Sequence, residues 1–162
     1  ALASARRLGC RTTLVTSNAG VSAAPAQIVI SPRVGPEVLS GSTRLKSGTA
    51  AKLVLNALTT AAMILSGKAF GHWMVDLKPV SLKLKARAVR IVCDLGRVSP
   101  ARARALLLRA RWDAKAAVLM ARLGVGPSQA RSRLKASGGF LRNALMKGRR
   151  APATSILPRG GR

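Results

Sequence analysis

Between Thr49 and Ser66, apolar residues recur at Ala50, Leu53, Val54, Ala57, Leu58, Ala61, Ile64 and Leu65. That is the spacing of an α-helix. Asn56, Thr59 and Thr60 are the polar interruptions, so the helix is apolar almost all round. Such a helix cannot be left to water. It is expected to be buried, packed against a sheet or against another subunit. A bilayer is the other apolar solvent, but Ala50 to Gly67 is broken by Lys52 and Asn56 and falls short of the roughly 20 residues a span needs. No membrane segment is expected, and Gly67 or Gly71 ends the helix.

The segments before it supply a sheet. Ala1 to Leu8 reads as the last turns of a helix, with Gly9 as its C-cap. Thr12 to Thr16 (TTLVT) is β-branched and reads as a strand. Ser17-Asn18-Ala19-Gly20 is turn chemistry. Gln27 to Ser31 (QIVIS) is a second strand, nearly continuous in apolar character, as parallel strands buried on both faces are. Helix, strand, loop and strand in this order predict part of an α/β sheet.

After Pro79 the pattern changes. Ser81 to Asp94 places Leu84, Ala88, Ile91 and Val92 on one helical face and Lys83, Lys85, Arg87 and Arg90 on the other. Ser99-Pro100 opens a further helix as N-cap and N1, Asp113 caps AKAAVLMARL before Gly124, and Pro127 opens SQARSRLKAS before Gly138-Gly139. These short helices predict a compact helical bundle. The expected organisation is an α/β part over 1–95, a small helical domain over 96–147 and a disordered basic tail over 148–162.

Charge excludes several chemistries. Twenty-nine Lys and Arg face four acids, Glu37, Asp76, Asp94 and Asp113, for a net +25. No two acids are close in sequence, which argues against a carboxylate cation cage or a paired-carboxylate active site. Cys10 and Cys93 are too few and too far apart for a disulfide framework or zinc site, and a reducing compartment is the default. His72 is the sole histidine, so any triad would depend on it. A surface or capping role suits it better. No metal is expected. With Trp73, Trp112, Phe70 and Phe140 the only aromatics, the core must be aliphatic. An RNA or DNA contact would follow from charge alone, but stacking aromatics are nearly absent and no nucleic-acid-binding signature occurs. Nucleic-acid binding therefore stands as an alternative, not the expected role.

The informative stretch is Gly35-Pro36-Glu37-Val38-Leu39-Ser40-Gly41-Ser42-Thr43-Arg44-Leu45-Lys46-Ser47-Gly48-Thr49. It gathers hydroxyls, glycines, two cations and the one Glu just before a helix N-terminus. Backbone N–H groups, the helix dipole and the cations all favour an anion there, such as a sugar phosphate. An N-capping loop with solvated charges would use the same residues. The spacing is neither a P-loop nor G-x-G-x-x-G.

GPEVLSGSTRLKSGTAAKLVLN closely resembles the signature of the glucokinase-regulatory and N-acetylmuramic acid 6-phosphate etherase family. The likeness continues through LTTAAMILSGKAFGHWMVDLKP and RAVRIV to WDAKAAVLMARLGVGPSQARSRLKASGGFLRNAL, covering roughly residues 1 to 147. It implies the C-terminal part of a sugar isomerase (SIS)-type, flavodoxin-like three-layer sandwich, followed by a small UBA-like helical domain. It implies a cofactor-independent cytoplasmic lyase, which cleaves the D-lactyl ether of N-acetylmuramic acid 6-phosphate to N-acetylglucosamine 6-phosphate and D-lactate. A homodimer with sites near the subunit interface is implied too. The family's catalytic glutamates are expected to precede residue 1, so no catalytic residue is assigned in this chain. Glu37 matches the signature's Glu and is expected to line the site. With it, Ser42, Thr43, Arg44 and Lys46 are the expected substrate contacts, the hydroxyls donating hydrogen bonds and the cations supplying positive potential. A non-catalytic sugar-phosphate-binding regulator is the other reading the resemblance allows.

Overall fold

The computed structural model describes residues 1–18, 20–22 and 24–146. The chain divides into two compact units, Ala1–Ala62 and Met63–Arg162. Residues 147–162, including the expected basic tail, lie outside the described residues.

The first unit holds helix α1 (Leu2–Arg7), strands β1 (Thr13–Val15) and β2 (Ile28–Ile30), and most of helix α2 (Lys46–Leu65). Gly9 follows α1 at φ 77°, the left-handed conformation that a β-carbon disfavours. β1 and β2 pair in parallel, with Thr13 opposite Ile28 and Val15 opposite Ile30. Gln27 locks the entry to this pair: its Oε1 accepts from Thr12 N at 3.1 Å, and its own N donates to Thr12 O at 3.0 Å. The expected strands are therefore present and parallel.

Their burial differs from expectation. Ile28 and Val29 are exposed, and among the described residues of this unit only Thr12 is buried. A two-stranded pair offers both faces to solvent unless further layers cover it. The larger correction concerns α2. It forms where its periodicity requires, starting three residues earlier, but none of its residues is buried. Leu53, Leu55, Leu58, Ile64 and Leu65 are all exposed, Leu65 at 77%. The sequence pattern specifies that α2 needs an apolar partner; the described residues of its own unit do not bury it. By length and composition it is the one helix among the described residues long and apolar enough to cross a membrane. Its 20 residues exceed the stretch from Ala50 to Gly67 because the helix begins at Lys46.

The second unit carries the hydrophobic core. A two-residue hairpin, β3 (Ala69–Phe70) and β4 (Trp73–Met74), turns through Gly71 and precedes five helices. These are α3 (Leu82–Gly96), α4 (Pro100–Arg109), α5 (Ala114–Leu123), α6 (Pro127–Ala136) and α7 (Leu141–Met146). The hairpin's two-residue strands are too short to leave a periodic signal in the sequence. α5 is central, touching α3, α4, α6 and α7, and its residues Ala114 to Met120 are all buried. α3 buries Ala88, Ile91, Val92 and Gly96 against α4 and α5, so the compact unit extends well upstream of residue 95. Small residues at Ala88, Ala103, Ala117 and Ala144 let the helices approach closely around Leu107, Leu119 and Leu141.

The local stop and start signals act as read. Ser81 Oγ accepts from Leu84 N, Ser99 Oγ from Arg102 N, and Asp113 Oδ1 from Ala116 N at 3.0 Å. Pro100 and Pro127 occupy first turns, and Gly124 ends α5 at φ 66°. One tie is long-range. The buried Lys115 ammonium donates to Gly67 O at 3.3 Å and Gly139 O at 3.1 Å, and pairs with Asp76 at 3.6 Å. Asp76 thus joins a residue of α5. Gly67 sits at φ 68° under the Phe140 ring, so a β-carbon there would meet the ring at 3.0 Å.

Candidate functional site

The signature loop folds back on the start of α2. Ser42 N donates to Leu39 O, Thr43 N to Gly41 O, and Leu45 N to Ser42 O, a series of tight turns through Gly41 at φ 78°. Glu37 then reaches forward to the helix. Its Oε2 accepts from Lys46 N at 2.9 Å; its Oε1 accepts from Ser47 N at 3.0 Å and Ser47 Oγ at 2.9 Å. Gly48 N donates to Thr43 O at 2.8 Å and Thr49 N to Leu45 O at 3.0 Å. All four leading N–H groups of α2 are thereby satisfied. The carboxylate occupies the anion position that the helix N-terminus offers. Donation from Ser47 N, then from Lys46 N, holds the Glu37 carboxyl below its ordinary value, and the Lys46 charge adds to this.

Two depressions flank this corner, and they divide the expected contacts. The first, about 480 Å3, opens at the C-terminal ends of β1 and β2. Thr16, Ser17, Asn18, Thr43, Ser47 and Gly48 line it. Ligands of open α/β sheets bind at this end of parallel strands, where side chains and loop N–H groups converge. The second, about 590 Å3, is lined by Arg44 and Lys46 together with Val34, Thr49 and Leu53. Lys46 Nζ also donates to Val34 O at 3.4 Å. Of the five expected contacts, Thr43 thus faces the hydroxyl-rich depression, and Arg44 and Lys46 face the other. Ser42 and Glu37 line neither.

Residues of the β1 exit were not foreseen as site residues. Ser17-Asn18 was legible only as a turn; its functional placement depends on β1 pairing with β2. Thr16 Oγ1 accepts from Asn18 N at 3.1 Å and Asn18 Oδ1 accepts from Gly20 N at 2.9 Å, which fixes this exit turn. Ser47, also unforeseen, combines a cap contact to Glu37 with a place in the first depression.

Among the described residues the other three acidic side chains are engaged as well. Asp76 pairs with Lys115, Asp94 accepts from Trp73 Nε1, and Asp113 caps α5. His72 is exposed, its ring 4.9 Å from that of Trp73. Among the described residues no three His, Cys, Asp or Glu groups gather as a metal site would require.

No family model matches the chain. Curated relatives do. The N-acetylmuramic acid 6-phosphate etherase of Erwinia tasmaniensis is 49% identical over 146 residues, 90% of this chain and 48% of the relative. The protein of that name from Cronobacter sakazakii is 47% identical over 142 residues, 87% of this chain and 48% of the relative. The one from Yersinia pestis is 49% identical over 146 residues, 90% of this chain and 50% of the relative. The chain spans about half the length of the curated relatives it matches.

Proposed function

We propose, from the chain's homology to N-acetylmuramic acid 6-phosphate etherases, that it supplies sugar-phosphate-binding groups of such a lyase, which releases D-lactate and N-acetylglucosamine 6-phosphate. The observation that carries this reading is the first depression. Hydroxyls of Thr16, Ser17, Thr43 and Ser47 gather at the C-terminal ends of two parallel strands. A sugar phosphate there receives hydrogen bonds from neutral donors, which suit a charged acceptor. Arg44 and Lys46, on the other flank, add positive potential without direct contact.

Glu37 has a positioning role in this reading. Its lowered pKa and three donors make it a poor proton acceptor. It fixes the loop so that Thr43 and Ser47 face the same depression. Elimination of the lactyl ether needs a base beside C1 and an acid at the leaving oxygen. The four acids of this chain are otherwise engaged, so this chain binds and orients, and those two groups come from elsewhere in the active assembly. Titration of the chain with N-acetylglucosamine 6-phosphate tests the site. Thr43→Val and Ser17→Ala should each weaken binding about 10-fold, the cost of one hydrogen bond to a charged group. Unchanged affinity in both would remove the site. D-lactate release by the unaided 162-residue chain would overturn the division of labour.

The strands and α2 belong, in the same reading, to an SIS-type sandwich of a cytoplasmic enzyme. The exposed apolar length of α2 is then a packing surface, not a span, and Lys46, Lys52 and Asn56 on it favour protein over lipid. A second copy of the chain is its proposed cover. Sedimentation of the chain should show self-association that Leu55→Gln with Leu58→Gln abolishes while the helical unit keeps its stability. A monomeric unsubstituted chain would refute that cover.

A further inference from the structure

Helices α3 and α4 pack against each other, and the crease between them leaves a depression of about 130 Å3. Leu82, Ala86 and Val89 line it from α3, and the half-buried Trp112 lines it from the turn after α4. Spacings of four and three put the three α3 residues on one helical face. Lys85 and Arg104, both exposed, complete the lining. The Lys85 ammonium lies 5.4 Å from the centroid of the Trp112 ring, which keeps that charge beside the aromatic wall. Volume decides what can enter. One water needs about 10–15 Å3 and a small-molecule site about 300–1,000 Å3. A single apolar side chain falls between them.

Charge narrows the choice further. None of the residues lining this depression is acidic. Lys85 and Arg104 have no carboxylate partner, because Lys115 and Asp76 form the single ion pair among the described residues. Apolar surface continues outward: Leu82 is 84% exposed, and Leu108, one turn along α4 from Arg104, is 59% exposed. Apolar surface beside unpaired cations is the complement of an apolar side chain flanked by carboxylates. The larger depression that Trp112 also lines, about 350 Å3, carries Asp76 and Asp113 as well as Lys78 and Arg111, and so has no such imbalance.

We infer that the α3–α4 crease docks an acidic segment of a partner protein, seating one leucine-sized side chain in the depression while flanking carboxylates accept from Lys85 and Arg104. Residues 1–162 do not supply that segment. No two of their four acids are close in sequence, and residues 147–162 hold five Lys or Arg and no acid. A second copy would bring a further +25 to a cationic surface. A nucleic acid or a lipid headgroup would answer the cations and leave the apolar depression unused. One anchor and two cations make a small contact, of the transient kind. The contact lies within the helical unit and is independent of the sugar-phosphate reading, which rests on the other unit.

The test uses the full chain and a fluorescein-labelled peptide, Gly-Ser-Asp-Glu-Leu-Glu-Asp-Ser-Gly, read by anisotropy at about 100 mM NaCl. The same peptide with alanine for its leucine should bind about 10-fold more weakly, the cost of the lost apolar burial. Lys85→Gln with Arg104→Gln should weaken the leucine peptide about 10-fold, as two exposed ion pairs would. Lys83→Gln with Arg87→Gln removes the same charge from the face of α3 turned away from the depression, and should change affinity less than about 2-fold. Ala86→Phe, at an exposed position, fills the depression from above and should erase the difference between the two peptides. Thermal unfolding of each variant checks that the helical unit is intact. The inference fails if the chain does not bind the leucine peptide, if the two peptides bind alike, or if both double variants weaken binding equally. Oligo(dT) or phosphatidylserine vesicles competing as well as the leucine peptide at equal charge would also overturn it, leaving only a general cationic surface.

Discussion

Glu37 shows how one residue can be legible in kind and illegible in role. Its match to the signature's Glu marks it as a residue expected to line the site. The structure instead turns it toward Lys46 and Ser47, nine and ten residues onward. Capping templates look three residues ahead, so a cap from this distance has no sequence signature. Lys115 is similar: its ties to Asp76, Gly67 and Gly139 cross 24 to 48 residues, and only the fold brings them together. The Glu37 contacts make a pH prediction with a definite sign. The folded-state pKa is depressed, so the carboxylate's contribution is present above the unfolded value, about 4.3 for Glu, and is lost as pH falls through the folded value. Amide resonances of Lys46 and Ser47 should therefore titrate with a midpoint below about 4.3. In Glu37→Gln they should stay fixed over the same range. A midpoint at or above the ordinary value would show that the carboxylate does not hold the helix.

At the scale of elements, helix ends were readable because their determinants are local. Ser81, Ser99, Asp113, Pro100 and Gly124 each act within four residues of their own position. Surroundings were not readable in this way. The circumference of α2 states that it needs apolar cover and says nothing of where that cover lies. The same distinction decides the sign of a substitution in α3. Gly96 is its last residue, and Ala favours a helix over Gly by about 1 kcal/mol in mid-helix and less at an end. A β-carbon at this position, however, would lie 2.9 Å from Ala121 Cβ of α5. Forcing two packed helices apart costs about 1–3 kcal/mol. Gly96→Ala should therefore destabilise the helical unit by about 1 kcal/mol despite its better propensity, as urea denaturation followed by tryptophan fluorescence would record. Stabilisation instead would mean that α3 and α5 yield at this crossing.

For the whole molecule the dominant quantity is the unbalanced charge, +25 on 162 residues. It was fully visible in sequence, but its consequence depends on how few cations the fold pairs. Were the surface laced with ion pairs, salt would weaken it. Here a single ion pair among the described residues is set against mutual repulsion of the remaining cations, and repulsion has the longer reach. Its range is about 30 Å at 0.01 M salt and about 10 Å at 0.1 M, so moderate salt removes most of it. Lys115, nearly sheltered from solvent, keeps its two carbonyl contacts throughout. Stability should thus rise with ionic strength, by about 1 kcal/mol between 10 and 300 mM NaCl, which for a unit of this size is about 4–8 °C in Tm. Thermal unfolding at a series of NaCl concentrations measures this directly. A Tm that falls with salt would place attractive pairs, rather than like-charge repulsion, in control of the helical unit.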